Sequence, residues 1–473
     1  MSSAFADARF LLSAPPRTAT VRSRADAWRS LLERAGVETV AALPADVLVA
    51  DAGVGYEETR GAPSVIIEGT AQLPGYRSRR YVVFGSRDNP TLFVPGDRGN
   101  VVAYALSAWS APRTTARRLR SRLVGRAPQL ALRLARWPEL TVATRDPGPP
   151  YVVAAALQHL AVNASVDWLL ICGHPDDLAR AAFLLFPQSA AQPRWVVKFM
   201  RVPSYAGPIE RDQRALAAVA AAGGAAASHA PRFLGRFEVS GLAASIETAA
   251  GGRPLSAVLH SAGSRVAKMR LVDAVAGWIV ELGRETRHAG ADAELERLRV
   301  NVLGAWPEAP DHLLAGLSAL PAVLQHNDLG TWNIVTAGEP DFTAVDWESA
   351  NPSGLPLWDL WYFLASALPL LEGEDARDVR GFALLFRGEA AGSSALFRWT
   401  RSAVEALGIP PDAVGKLATL CWLHHGLSHG MRSTAVDRFA RGGGTVTPSV
   451  ADYAHVWLSD PALGSDWRRW IDG

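Results

Sequence analysis

The chain has 473 residues, of which 49% are hydrophobic, and a formal net charge of +2. It is longer than one average domain and apolar enough for sizeable cores, while its near-neutral charge gives no reason to expect a nucleic-acid partner or an acidic substrate. Two cysteines, Cys172 and Cys421, exclude a disulfide framework; with no charged-then-apolar leader and no run of about 18 apolar residues, a cytoplasmic protein without a transmembrane segment is expected.

Residues 1–145 read as an α/β region. A helix is expected over 24–35, and strands at Val47-Leu48-Val49, Ser64-Val65-Ile66-Ile67, Tyr81-Val82-Val83-Phe84 and Thr91-Leu92-Phe93-Val94. No Gly-x-Gly-x-x-Gly, P-loop or metal-spaced Cys/His cluster occurs here, so the region is expected to be an accessory domain. Arg117, Arg118, Arg120, Arg122 and Arg126, reaching toward Arg136, form a basic stripe. A solvated helix face is the simpler account of it, contact with an anionic membrane surface the alternative. The turn-rich stretch 144–150 reads as a linker and is taken as the boundary.

Beyond it, a helical stretch near 152–160 precedes buried strands at Trp168-Leu169-Leu170-Ile171-Cys172, 181–186 and Trp195-Val196-Val197-Lys198-Phe199-Met200. The chain has three lysines, Lys198, Lys268 and Lys416, and Lys198 alone lies inside an apolar strand. A lysine is costly to bury there unless it is paired or faces a phosphate. A helix entered after Pro208 offers two carboxylates, Glu210 and Asp212, as partners. Residues two apart on a helix point in different directions, so only one can face the lysine, and Glu210 has the longer reach. Strands are expected at 232–239 and 242–248, followed by a turn through Gly251-Gly252. The rest is mostly helical. Leu271, Val275, Trp278, Ile279 and Leu282 form a core stripe, and 357–371 is apolar nearly all round.

The chemistry is expected at 325–348. His326, Asp328 and Asn333 fall within eight residues, and Asp346 and Glu348 follow two short apolar runs separated by turn residues 337–341. If Thr336 pairs with Phe342, Ile334 faces Ala344, Asn333 sits beside Val345, and Asp346 emerges next to Asn333. A carboxamide and a carboxylate so placed suit Mg2+, and Asp328 could serve as a general base.

His326-Asn327-Asp328-Leu329-Gly330-Thr331-Trp332-Asn333 resembles the H-x-D-x-x-x-x-N loop of kinase-like folds. Val345-Asp346-Trp347-Glu348 and Trp358-Asp359-Leu360 resemble the aminoglycoside phosphotransferase and choline kinase superfamily. The resemblance covers 150–473 and implies an α+β, bilobal protein-kinase-like fold: a small β-rich lobe over 150–250 and a helical large lobe over 251–473. It also implies a phosphotransferase that moves the γ-phosphate of ATP or GTP, with Mg2+, to a hydroxyl of a small metabolite, sugar or glycan-related acceptor. Lys198 would hold the phosphates, Asn333 and Asp346 the metal, Asp328 would accept the proton and His326 brace the loop. Backbone groups around Glu247 would face the nucleotide base. The stretch Gly173-His174-Pro175-Asp176-Asp177, where relatives cover the phosphates, departs from the pattern in having a single glycine. The other readings are a protein kinase, a pseudokinase-type nucleotide-binding or scaffold protein linked to surface-polysaccharide metabolism, an N-terminal activity coupled to sugar modification, and a glycosidase using two carboxylates. The last leaves Asn333 without a role.

Overall fold

The structure is a computed structural model describing residues 3–22, 27–34, 36–85, 90–109, 137–172, 179–203, 205–261, 263–306, 308–338, 340–374, 379–439, 450–460, 462–463 and 467–472. The basic stripe 117–136 and the stretch 173–177 lie outside the described residues. The chain divides into two compact units, 1–209 with 233–249, and 210–232 with 250–473.

Among the described residues, the first unit is built on one sheet of twelve strands. In chain order these are β1 (Thr18–Arg22), β2 (Glu38–Thr39), β3 (Val47–Asp51), β4 (Ser64–Glu68), β5 (Arg77–Gly85), β6 (Pro90–Pro95), β7 (Glu139–Thr144), β8 (Val166–Ile171), β9 (Arg180–Pro187), β10 (Trp195–Met200), β11 (Phe233–Val239) and β12 (Leu242–Thr248). Their spatial order is β11-β12-β10-β9-β8-β6-β5-β7-β4-β3-β1-β2. Pairing among β1 to β4 is parallel, and every other pairing in the sheet is antiparallel. The apolar runs read from the sequence are strands because both faces are covered. Val47, Val49 and Ile66 pack on one side, Leu48, Val65 and Ile67 on the other, as the two-residue period of a strand requires.

The sheet does not stop at the expected boundary. β6 pairs with β8 through Leu92↔Ile171 and Phe93↔Leu170, and one core runs from Phe10 to Ile246. An apolar edge strand is a liability until something covers it, and β6 and β8 cover one another. Residues 1–145, expected as an accessory domain of their own, thus share a sheet with the strands that follow, and the division falls at 209/210, 232/233 and 249/250.

The second unit is mostly helical. Helix Trp358–Leu371 buries every residue from Trp358 to Leu370, and helix Arg265–Thr286 buries Leu271, Val275, Trp278, Ile279 and Leu282. Two small sheets are set among the helices: β13 (Arg253–Pro254) with the hairpin β15 (Ile334–Gly338) and β16 (Asp341–Ala344), and β14 (Val323–Gln325) with β17 (Asn351–Gly354). The mixed α+β class is therefore the one expected. Gly252 enters β13 at φ 109°, where a Cβ would collide with the Thr336 carbonyl. Gly252→Ala is expected to cost on the order of 3 kcal/mol, from strain and overpacking together, and to appear as a lower Tm in thermal denaturation. Among the described residues no helix is long and apolar enough to cross a membrane.

Candidate active site

The register of the β15–β16 hairpin joins Asn333 to the residue before Asp346. Thr336 pairs with Phe342 and Ile334 with Ala344, and the Val345 amide donates to the Asn333 carbonyl at 2.8 Å. Asp346 then leaves the strand in the left-handed region, at φ 72° and ψ 56°. Asn327 and Leu357 also have positive φ, 67° and 74°. Each such residue costs of order 1 kcal/mol, most for a bulky one such as Leu, and persists only where its surroundings hold it.

Those surroundings centre on Asp359 at the start of helix Trp358–Leu371. Its carboxylate accepts the His326 amide at 2.6 Å and the Asn327 amide at 2.8 Å. Burial raises this carboxyl, the two amides pull it down and the Asp328 charge raises it again, with the net result pushed up to about 6. His326 is fully buried, its Nε2 meets the Val345 carbonyl at 2.9 Å, and its ring packs on Trp347 at 4.6 Å. The loop before the hairpin is thus tied both to the helix and to the strand end beside Asp346. That bracing is the part expected of His326. The larger share belongs to Asp359, known from the sequence only as the residue opening a helix.

Asp328 itself is half-buried, and both its carboxylate oxygens are engaged. Asn333 Nδ2 donates to Oδ2 at 3.1 Å and to the Asp328 carbonyl at 2.8 Å, while the Tyr362 hydroxyl donates to Oδ1 at 3.2 Å. Burial first, then the neighbouring Asp328 charge, holds the Tyr362 phenol well above its usual range, so it stays a donor. Beneath Tyr362 lies His425, stacked at 4.2 Å; burial drives its imidazole down to about 3, so it is neutral and serves as packing. Trp332 is the opposite case. It is 43% exposed and stands edge-on to Tyr362 at 6.0 Å.

Lys198 lies on β10 in the other unit. Its Cα partner on β12 is Ser245, so Glu247, two residues along, shares its face of the sheet. The Lys198 Nζ is 2.9 Å from Glu247 Oε1, with both side chains more than nine-tenths buried. The Glu247 backbone lies in the ladder between Val196 and Phe233, so its carboxylate is the part turned to the lysine. On helix Gly207–Ala222, Asp212 is buried on the stripe it shares with Leu216 and Val219, and Glu210 is half-buried at the helix start.

No group of three or more His, Cys, Asp or Glu side chains that could hold a metal occurs among the described residues. The donor set at the hairpin end is smaller and harder. With Nδ2 spent on Asp328, the Asn333 amide has Oδ1 left to ligate, and Asp346 adds a carboxylate. One carboxylate and one carboxamide fit Mg2+, which keeps several waters and shares its shell with substrate phosphate; they do not fit a closed structural zinc site.

Residues 185–393 match the model of the phosphotransferase enzyme family. The resemblance carried by the loop, the acidic close and the Asp-Leu helix start is therefore borne out. Comparison with curated proteins gives no match. Among solved structures, the aminoglycoside phosphotransferase APH(3'')-Id from Streptomyces rimosus ATCC10970 is 15% identical, with 55% of this chain and 92% of that chain covered, at a TM-score of 0.34. An aminoglycoside-3'-phosphotransferase of type VIII is also 15% identical, over 67% of this chain and 99% of that one, at 0.34. WbdD is 10% identical over 85% and 86%, at 0.30. At such scores these superpositions carry no argument, and the family match covers fewer than half of the chain's residues.

Proposed function

We propose that the protein is a small-molecule kinase that transfers the γ-phosphate of ATP or GTP to an acceptor hydroxyl, Asp328 taking the hydroxyl proton. The observation that carries this is the setting of Asp328: a partly accessible carboxylate whose two oxygens are aimed by Asn333 and Tyr362, on a loop pinned by Asp359. A base so fixed supplies positioning, which is most of what phosphoryl transfer asks of a protein. Lys198, braced by Glu247, would hold the donor's phosphates, with Glu210 or Asp212 of the following helix as its expected second acidic partner. Asn333 and Asp346 would hold Mg2+, which when bound neutralises phosphate charge. The exposed ring of Trp332, edge-on to Tyr362, would be a surface for a sugar or other ring-bearing acceptor.

Calorimetric titration of the full chain with ATP and with GTP, with and without Mg2+, tests the reading without a guess at the acceptor. Metal-dependent binding is expected, weakened at least tenfold in Asp346→Ala. Absence of binding to either nucleotide would sink the proposal and favour a scaffold role.

A further inference from the structure

Among the buried charges that the proposed chemistry leaves unused, Asp7, Arg9 and Arg201 form one connected group in the first unit. Asp7, on the 3-10 helix Ser3–Leu11, is 1% exposed, and Arg201 is 4% exposed. Arg201 Nε lies 3.1 and 2.9 Å from the two Asp7 carboxylate oxygens, and its Nη2 is 2.7 Å from Oδ2. The same guanidinium donates through Nη2 to the Cys172 carbonyl and through Nη1 to the Ala179 carbonyl, the latter at 3.4 Å. Arg9 Nη2 donates to the Arg201 carbonyl at 2.9 Å, and Phe10 stands edge-on to Phe199 at 4.7 Å.

The positions of these acceptors give the group its meaning. Cys172 follows β8, Ala179 precedes β9 and Arg201 follows β10, so antiparallel pairing gathers all three at one end of the strands. Lys198 lies on β10, three residues before Arg201. A desolvated guanidinium needs both a counter-charge and acceptors for its remaining hydrogens. Asp7 supplies the charge, and the two carbonyls take the hydrogens. Without Asp7 the cation is drawn toward water, and the carbonyls at the ends of β8 and β9 lose their common donor.

We infer that Asp7, acting through Arg201, is a positioning residue for the nucleotide's phosphates: segment 3–11 fixes the ends of β8, β9 and β10, and with them the place of the Lys198 ammonium. The inference rests on the phosphate role proposed for Lys198. It also gives the first residues of the chain a part in the kinase site, where the sequence offered only an accessory domain.

The test uses the full chain, with Mg-ATP as the probe and calorimetry at a temperature well below each variant's Tm. Asp7→Asn is expected to weaken Mg-ATP binding at least tenfold. Because a lone buried cation can unfold a protein, the double variant Asp7→Leu with Arg201→Met is measured beside it. It removes the Asp7–Arg201 pair and refills the space, while Arg9, which faces Asp7 at 3.9 Å in the wild type, keeps its bond to the Arg201 carbonyl; the Cys172 and Ala179 carbonyls are left without their donor. A tenfold or greater loss in the double variant, with its Tm within a few degrees of the wild type, supports positioning. Mg-ATP binding within about threefold of the wild type reduces the pair to a structural tie and overturns the inference, leaving the kinase reading intact. A wild type that binds no Mg-ATP overturns the kinase reading itself, and this inference with it.

Discussion

Asp328→Ala is expected to lower phosphoryl transfer by about 10²–10⁴-fold, the usual worth of a positioned general base, while Mg-ATP still binds. The separation follows from the contacts. Asn333 Nδ2 has two acceptors on Asp328, the carboxylate and the backbone carbonyl, and the substitution removes only the first. The backbone tie from the Val345 amide to the Asn333 carbonyl is untouched, so the hairpin end keeps its geometry. Tyr362 loses its partner within a buried setting, which places part of the cost on stability and not on nucleotide affinity. Single-turnover transfer and calorimetric Mg-ATP binding, measured on the same preparation, check both halves. Undiminished turnover, or loss of nucleotide binding in step with it, would remove Asp328 from the role of base.

The parts of this site that were legible in the sequence are those whose geometry is local. Turn residues between two short apolar runs set the hairpin register, and that register brings Val345, the neighbour of Asp346, to the Asn333 carbonyl. Lys198 stood out because a lysine in an apolar strand needs an explanation. Its brace, Glu247, was hidden for the opposite reason: that pairing depends on β12 lying beside β10, a choice of strand order that no local pattern encodes. The continuity of the sheet through β6 and β8 was hidden in the same way. Asp359 and Tyr362 fall between these cases. They are three residues apart on one helix and so share a face, and a helix apolar nearly all round that carries one acid and one phenol on a single face signals polar groups with buried partners. That signal was present, but only the fold shows that the partners are the loop amides and the Asp328 carboxylate.

The second large effect is expected from Asp359, and it is a pH effect. Its carboxyl titrates at about 6 in the folded protein, above the ordinary value of 3.8, because burial outweighs the two amides that favour its charge. Ionised, both oxygens accept, one from His326 and one from Asn327; protonated, one oxygen carries a hydrogen and an amide loses its acceptor. Turnover is therefore expected to rise with pH through a limb near 6, as the loop carrying Asp328 is drawn into place. Stability runs the other way. A folded pKa raised above the unfolded one contributes stability that is fully present below about pH 4 and is lost as pH rises through 6. Between pH 5 and 8 the wild type should lose about 1–2 kcal/mol relative to Asp359→Asn, since each pKa unit is worth about 1.4 kcal/mol. Asp359→Asn, which supplies one carbonyl acceptor where two oxygens accepted, is expected to be less active at every pH and to lack the limb. pH–rate profiles and melts of both proteins at pH 5 and 8 check the two signs together. A limb near 6 that survives in Asp359→Asn would assign it to another group and leave Asp359 as a structural clamp alone.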